Sequence, residues 1–537
     1  LTHPARPNLV IIVADDTTPS YHGCYGGPTP TPNIDRLARE GVLMQRGYGC
    51  ASLCCPSRYT LFTGQYTQRS TAAHAHVPPG DPALISQNGE LDDGQTTLPR
   101  LLARAGYFTG HIGKWHSRFE TNSLGFAEPV IPIGDPDDPA FNARLIDAQA
   151  RAQEVVRRCA GFEHAACVHW GNLDATFKKS QTLGAHNPAW FTDGALDFLD
   201  RALADERPFY LHLANSVPHT PDCHLSLNRD HRYTVGGKLA QPPASHPPDD
   251  SVLARMKAAG LPTSGPLAGV NAGQIQIDDQ IGVLVARLEA AGQLDNTIFI
   301  YTADHGIPGK GSCHITGHHL PFILRWPAGG IAPRVVHDIF SWAHIVPTLA
   351  EACVILFPET ALPDGVSVLP ALRNPAAPWP CSTAYHEMGW SRSITKGRYH
   401  YIATRPPASV IDTIRKGHSE AISTGLFFDS LNAPAIPGYF DPDQLYDIEL
   451  DPYEQHNLIH DPSRARILAE LRRELFAITR TLPRPFPETP APFLSTPEYG
   501  ELLARRHAEM RQIQHYPTRA AHVPAVWHGN LADPDLA

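Results

Sequence analysis

Cysteine is scarce, with ten in 537 residues. That is far below the density of a disulfide-stapled scaffold, so most of the ten are expected to be free and buried. Positive charge is not in excess either. Charged residues make up 18% of the chain and the formal net charge is −10, which argues against nucleic acid or an anionic membrane surface as a partner. A pocket that is only locally positive would still accept a small anionic substrate. No window approaches the eighteen or so consecutive apolar residues of a membrane span, and no solenoid-type repeat is present. The chain has no initiator Met and opens LTHPARPNLVIIVADD. It reads as trimmed or processed, so a cytoplasmic and a periplasmic or secreted location both stay open.

Apolar residues make up 42% of the chain, enough for a large buried core and two domains. The β-branched run Asn8 to Val13 reads as a strand of a covered parallel sheet and ends in Asp15 and Asp16. TPNIDRLAREG reads as a helix with Thr31 as N-cap, Pro32 at its first position and Gly41 as its stop. TTLPRLLARAG repeats the scheme to Gly106, and a short strand then leads to Lys114 and His116. A strand around Phe209 to Leu213 runs out into His219. An amphipathic helix carrying Ile277, Ile281, Leu284, Val285 and Leu288 precedes TIFIYT, which ends in Asp304 and His305.

This alternation predicts an α/β fold with a large, mostly parallel sheet flanked by helices. Ligands in such sheets bind beyond the carboxyl ends of the strands. Four strands here end in carboxylate, lysine or histidine, so one rim is the expected site. Past about residue 370 the rhythm changes to a strand pair over Ser391 to Ile402 and a helix in SRARILAELRRELFAIT. The expected division is a catalytic domain over 1–370, a smaller antiparallel sheet plus helix domain over 371–485, and a proline-tethered extension over 486–537.

The stretch CASLCCPSRYTLFTG, residues 50–64, admits several readings. The spacing offers no pair of zinc-type C-x₂-C elements, and a disulfide between neighbours would be strained. Pro56 suits the first turn of a helix, which places Cys54 at a positive N-terminus where a thiol would be activated and an anion held. A buried structural cysteine competes evenly with a nucleophile on residue chemistry alone. Asp15, Asp16 and Asp304 supply a hard oxygen cage of the kind a divalent ion requires.

Cys54, Pro56, Ser57, Arg58, Thr63 and Gly64 match the C-x-P-S-R-x-x-x-x-T-G signature, and here the chain resembles the type I sulfatases of the alkaline phosphatase superfamily. TPNIDRLA, GKWH, the Pro218-His219 pair, TADHG and LYD…DPYEQHNL follow in the family's order over about 480 residues. The resemblance implies an alkaline phosphatase-like fold and a formylglycine made from Cys54 by dedicated converting machinery. It implies Asp15, Asp16, Asp304 and His305 as metal ligands, with the modified Cys54 also at the metal. Ca²⁺ is the expected ion, and the imidazole of His305 makes Mn²⁺ a rival. Arg58 supports the nucleophile, Lys114 and Lys310 neutralise the sulfate, His219 protonates the leaving oxygen and His116 acts as base. The short DHGIPGK loop is similar to the heparan N-sulfatase branch.

Two departures stand out. Gln65 replaces a basic residue that would bond the helix start, and HITGHHLP puts His314, His318 and His319 near the expected pocket mouth, as substrate contacts or as structural groups. The function implied is hydrolysis of aryl, alkyl or sugar sulfates, or of sulfamates. The alternatives are a phosphonate monoester or phosphodiester hydrolase on the same scaffold and a catalytically silent binder of sulfated glycans. A homo-oligomer joined through the C-terminal extension is a further expectation.

Overall fold

In the computed structural model, which describes residues 6–75, 77–118, 134–173, 183–245, 247–423 and 429–512, NLVIIVA forms strand β1 (Asn8–Ala14), buried at every position. A strand that is apolar on both faces needs cover on both, and β1 lies in the middle of a sheet of eight. The order is β10 (Arg334–Ser341), β2 (Val42–Tyr48), β9 (Phe322–Arg325), β8 (Thr297–Ala303), β1, β5 (Phe209–Ala214), β3 (Phe108–Lys114) and β4 (His164–His169). Only β9 runs against its neighbours; every other pairing is parallel. A small hairpin, β6 (Tyr233–Thr234) and β7 (Gly237–Lys238), stands apart.

Parallel pairing brings the carboxyl ends of β1, β3, β5 and β8 to one rim. Hydrogen bonds tie the chain together beyond the strands: the Asp15 N–H donates to the Val217 carbonyl at 3.0 Å, Asp304 to Ala14 at 3.0 Å and His116 to Trp170 at 2.8 Å. The rim residues are therefore held by backbone before any side chain acts.

The flanking helices include α1 (Pro32–Glu40), α2 (Cys54–Thr63), α3 (Leu98–Arg104), α4 (Pro139–Ala160), α5 (Pro188–Asp205) and α6 (Pro266–Ala290). Thr31 stands at the cap position of α1 as predicted, but its side chain does not cap the helix. Asp278 of α6 does so from across the fold, accepting from the Asn33 and Ile34 N–H groups at 2.9 and 2.8 Å. Helix α6 begins well before Ile277. Its first half is buried all round and carries polar groups with partners, such as Asn271, which accepts from Thr29 Oγ1 at 2.7 Å; that pattern hides a helix from a reading of amphipathic periodicity.

The second sheet is antiparallel: β11 (Thr383–Met388), β12 (Ser391–Lys396), β13 (Tyr399–Thr404) and β14 (Asp443–Asp447). The predicted Lys-Gly turn joins β12 and β13, with Gly397 at φ 52°. Between β13 and β14 the chain makes an excursion that includes the helical turn α7 (Asp429–Asn432). Helix α8 (Ala465–Thr479) packs Leu471, Leu475 and Phe476 on the sheet. Helix α9 (Pro497–Gln512) contributes Tyr499, Leu502 and Met510 to an apolar cluster with Ile411, Ile414, Ile422 and Phe440 of the excursion. The C-terminal extension thus packs on its own chain as far as Gln512, and its remainder, 513–537, lies outside the described residues. All ten cysteines are free, eight of them buried. Among the described residues no helix is long and apolar enough to cross a membrane.

Candidate active site

Helix α2 starts at Cys54, two residues before the proline that marks its first turn, and Leu53 ahead of it is extended. Pro56 therefore sits where no intrahelical N–H is needed. The helix is buried throughout and stops at Gly64, whose φ of 71° is left-handed and whose N–H donates to the Thr60 carbonyl at 2.8 Å. A Cβ on Gly64 would lie 2.8 Å from Pro363 and 3.0 Å from Val346, so both space and backbone call for glycine. Gln65 lies at this far end of the helix and donates to the Leu362 carbonyl at 2.9 Å rather than supporting the helix start.

Cys54 faces the rim. Ligand atoms of Asp15, Cys54, Asp304 and His305 all lie within 4.8 Å of one another, and all four residues are buried. The Cys54 Sγ is 3.2 Å from His305 Nε2 and 3.5 Å from Asp15 Oδ1. Asp16 Oδ1 is 3.1 Å from the same His305 nitrogen. Asp16 and His116 both have positive φ, 66° and 45°, conformations that cost non-glycine residues energy and gather at functional sites.

Three cations answer the three carboxylates. Arg58 donates to Asp304 Oδ2 at 2.9 Å and to the Lys114 carbonyl at 3.2 Å. Lys114 donates to Asp15, to the Cys54 sulfur at 3.4 Å and to Asn172 Oδ1 at 2.5 Å. Lys310 donates to both oxygens of Asp16, at 2.8 and 3.0 Å, and its Nζ lies 2.9 Å from His219 Nε2. Burial works against the charged forms, and the pairing overcomes it. Asp15 is held well below the carboxylate range by Lys114, His219 and Arg58, and Lys310 is raised above the usual ammonium value by Asp16.

The thiol behaves otherwise. Burial, with Asp15 adding to it, pushes Cys54 well above the ordinary thiol value despite Lys114 and the helix start. Among the protein's own groups, desolvation and the adjacent carboxylates outweigh the helix terminus at this thiol.

His219 ends the β5 strand extension, and Asp16 Oδ2 lies 3.7 Å from its Nε2. His186, absent from the sequence reading, supports that loop: its ring nitrogens lie 3.0 Å from Ser216 Oγ and 3.0 Å from the His219 carbonyl oxygen. Burial first, then Lys114 and Arg58, hold His116 well below the ordinary imidazole value.

All thirteen positions are accounted for: Asp15, Asp16, Cys54, Arg58, Lys114, His116, His219, Asp304, His305 and Lys310 come together at the rim, whereas His314, His318 and His319 do not contribute to it. His314 stacks on Tyr439 and lies 3.1 Å from Gln444. His318 sits 3.0 Å from the carbonyls of Gly49 and Ser312, and His319 2.9 Å from that of Gln45. His314 and His318 pack against Tyr446 and His386 of the second sheet, and His319 against Tyr48 of β2. Asn172 is the rim group that sequence reading missed; it follows β4, a strand whose mixed sequence HAACVH carries little β signal.

A sequence model of the family described as Sulfatase matches residues 7–354. Human arylsulfatase A is 26% identical over 490 residues, covering 84% of this chain and 83% of that protein. A protein solved in complex with its substrate D-glucosamine-2-N,6-O-disulfate aligns with TM-score 0.58 at 20% identity, over 89% of this chain and 98% of that one. The phosphonate monoester hydrolase of Agrobacterium radiobacter aligns with TM-score 0.56 at 18% identity, over 89% and 96%. At these identities the two structures share the fold.

Proposed function

This chain belongs to the sulfatase family, and from that premise we propose that it hydrolyses the sulfate ester of a saccharide or aryl alcohol at residue 54. The observation that carries the reading is the convergence, on one buried rim, of Cys54 at the start of α2 with three carboxylates and three cations.

The donor set fits a divalent cation: several oxygen donors and one imidazole converge without exposure, which suits Ca²⁺ and admits Mn²⁺. Asp15, Asp16, Asp304 and His305 would hold it, next to the modified side chain of residue 54. Bound there, the ion supplies Lewis-acid charge to a sulfuryl oxygen. The three carboxylates and the three cations Arg58, Lys114 and Lys310 cancel, so the charge of the ion is left over to attract a monoanionic sulfate ester.

The Cys54 sulfur stands in for the oxygens of a formylglycine hydrate, a group that supplies one hydroxyl to attack sulfur and a second through which sulfate is later released. Lys114, oriented by Asn172, and Lys310 offer ammonium groups from two sides to the sulfuryl oxygens. His219 stands beside Lys310 to protonate the departing oxygen, and His116 takes a proton from the nucleophilic side. Arg58 ties α2 to Asp304. Sulfamates would react by the same attack at sulfur.

The test compares matched aryl sulfate, phosphate diester and phosphonate substrates in wild type and Cys54→Ala. Sulfate turnover that dominates and vanishes in the variant supports the reading. Dominant phosphorus turnover would replace it with the phosphonate or phosphodiester alternative, and sulfated-glycan binding without turnover would leave a silent binder.

A further inference from the structure

The loop from Asp304 to Lys310 is short, and one side of it is pressed against the chain at 316–317: a Cβ on Gly309 would lie 2.3 Å from the Gly317 nitrogen. Its other side meets Asn432, the last residue of α7 in the excursion between β13 and β14. Asn432 is 1% exposed and uses both ends of its amide on consecutive residues of the loop. Its Oδ1 accepts from the Gly309 N–H at 3.2 Å, and its Nδ2 donates to the Lys310 carbonyl at 2.8 Å. A lysine reaches its target through four rotatable bonds, so the ammonium is placed only as well as the backbone beneath it. Here that backbone is held from 122 residues away.

Asn432 is itself anchored. Asp429, at the start of α7, accepts from the Tyr439 hydroxyl at 3.1 Å and lies 3.7 Å from Arg506 of α9. Ala433 and Ile436, which follow α7, belong to the apolar cluster shared with α9.

The geometry points to Asn432 as a positioning residue for Lys310, making the excursion and the C-terminal helix a clamp on the active-site lysine rather than an appendage. A buried asparagine that merely satisfies its own amide would stabilise the fold and nothing more. The clamp rests on the reading that Lys310 serves sulfate-ester hydrolysis, and the experiment separates the two.

Full-length, aldehyde-bearing enzyme is assayed on an aryl sulfate as wild type, Asn432→Ala, Lys310→Ala and the double variant. Asn432→Asp serves as a second probe that keeps the acceptor for Gly309 and faces the Lys310 carbonyl with another acceptor. Loss of the clamp is expected to lower kcat by roughly 10- to 100-fold, as for displacements of about 1 Å, with KM changed less. In the Lys310→Ala background the same Asn432 substitution is expected to cost less than about twofold, because residues acting through one another are not additive. Equal losses in both backgrounds would make Asn432 merely structural and overturn the clamp alone, as would unchanged kcat in both Asn432 variants. A fully active Lys310→Ala enzyme would overturn the role of the lysine and the clamp with it. If Asn432→Ala does not fold, the same cycle is read with Asn432→Asp.

Discussion

Replacing Arg58 by Met isolates what the buried ion pair contributes. Arg58 and Asp304 are both fully buried, 2.9 Å apart, and Met approximates the volume of the stem without its charge. Removing one partner of such a pair leaves the other buried and uncompensated, at a cost of about 3–5 kcal/mol. Coulomb's law gives a similar figure, about 4 kcal/mol for unit charges 4 Å apart at an effective dielectric of 20. Against a typical total of about 5–15 kcal/mol this is a large fraction. Asp304 also belongs to the donor cluster, so a divalent cation should restore part of the loss. The assay is urea denaturation of wild type and Arg58→Met, each stripped by chelator and each saturated with Ca²⁺ or Mn²⁺. A deficit of about 3–5 kcal/mol in stripped protein that shrinks with metal is expected. A deficit under about 1 kcal/mol in both conditions would refute the reasoning, since a surface pair would behave that way.

Four further outcomes follow from particular contacts. Chelation should abolish sulfate-ester turnover, and Ca²⁺ or Mn²⁺ should restore it in wild type but not in Asp304→Ala. Gly64→Ala should lower stability by about 1–3 kcal/mol in thermal melts, from its left-handed φ and its contacts with Pro363 and Val346; an unchanged melting temperature would contradict this. Burial lowers His314 and His319 from 6.5 to about 4, so the unfolded chain binds protons there first. Their stabilising neutrality is complete above pH 6.5 and is lost as pH falls from 6.5 toward 4, by up to about 1.4 kcal/mol per pH unit for each. Acid unfolding monitored by fluorescence should therefore begin well above the carboxylate range, and His314→Gln should move the midpoint to lower pH. Asn172→Ala should reduce kcat by roughly 10-fold by freeing Lys114 from one of its partners, whereas an unchanged kcat would remove Asn172 from the site.

Residues whose chemistry is local were legible from sequence. A short apolar run rich in β-branched residues favours a covered strand, so Asn8 to Val13 and its terminal aspartates were readable at once. Strand ends carry sites in parallel sheets, which located Lys114, His219 and Asp304, and the motif around Cys54 fixed the start of α2 to within two residues. Groups whose meaning depends on a distant partner were not legible. Asp278 caps α1 from another helix, Asn432 reaches the Lys310 loop from the excursion between β13 and β14, and Asn172 follows a strand too mixed in composition to be noticed. His314, His318 and His319 looked like pocket groups because they adjoin the motif in sequence; only their packing, against the second sheet for His314 and His318 and against β2 for His319, shows them facing inward.

Mass spectrometry of the peptide from Gly47 to Arg58, in protein from a source with the converting machinery, tests the central claim most directly. The account predicts an aldehyde at position 54, captured by a hydrazide probe, with intact thiols at Cys50 and Cys55. An unmodified thiol at 54 in enzyme that still turns over sulfate esters would contradict it, because the account assigns attack on sulfur and release of sulfate to the two hydroxyls of the hydrate.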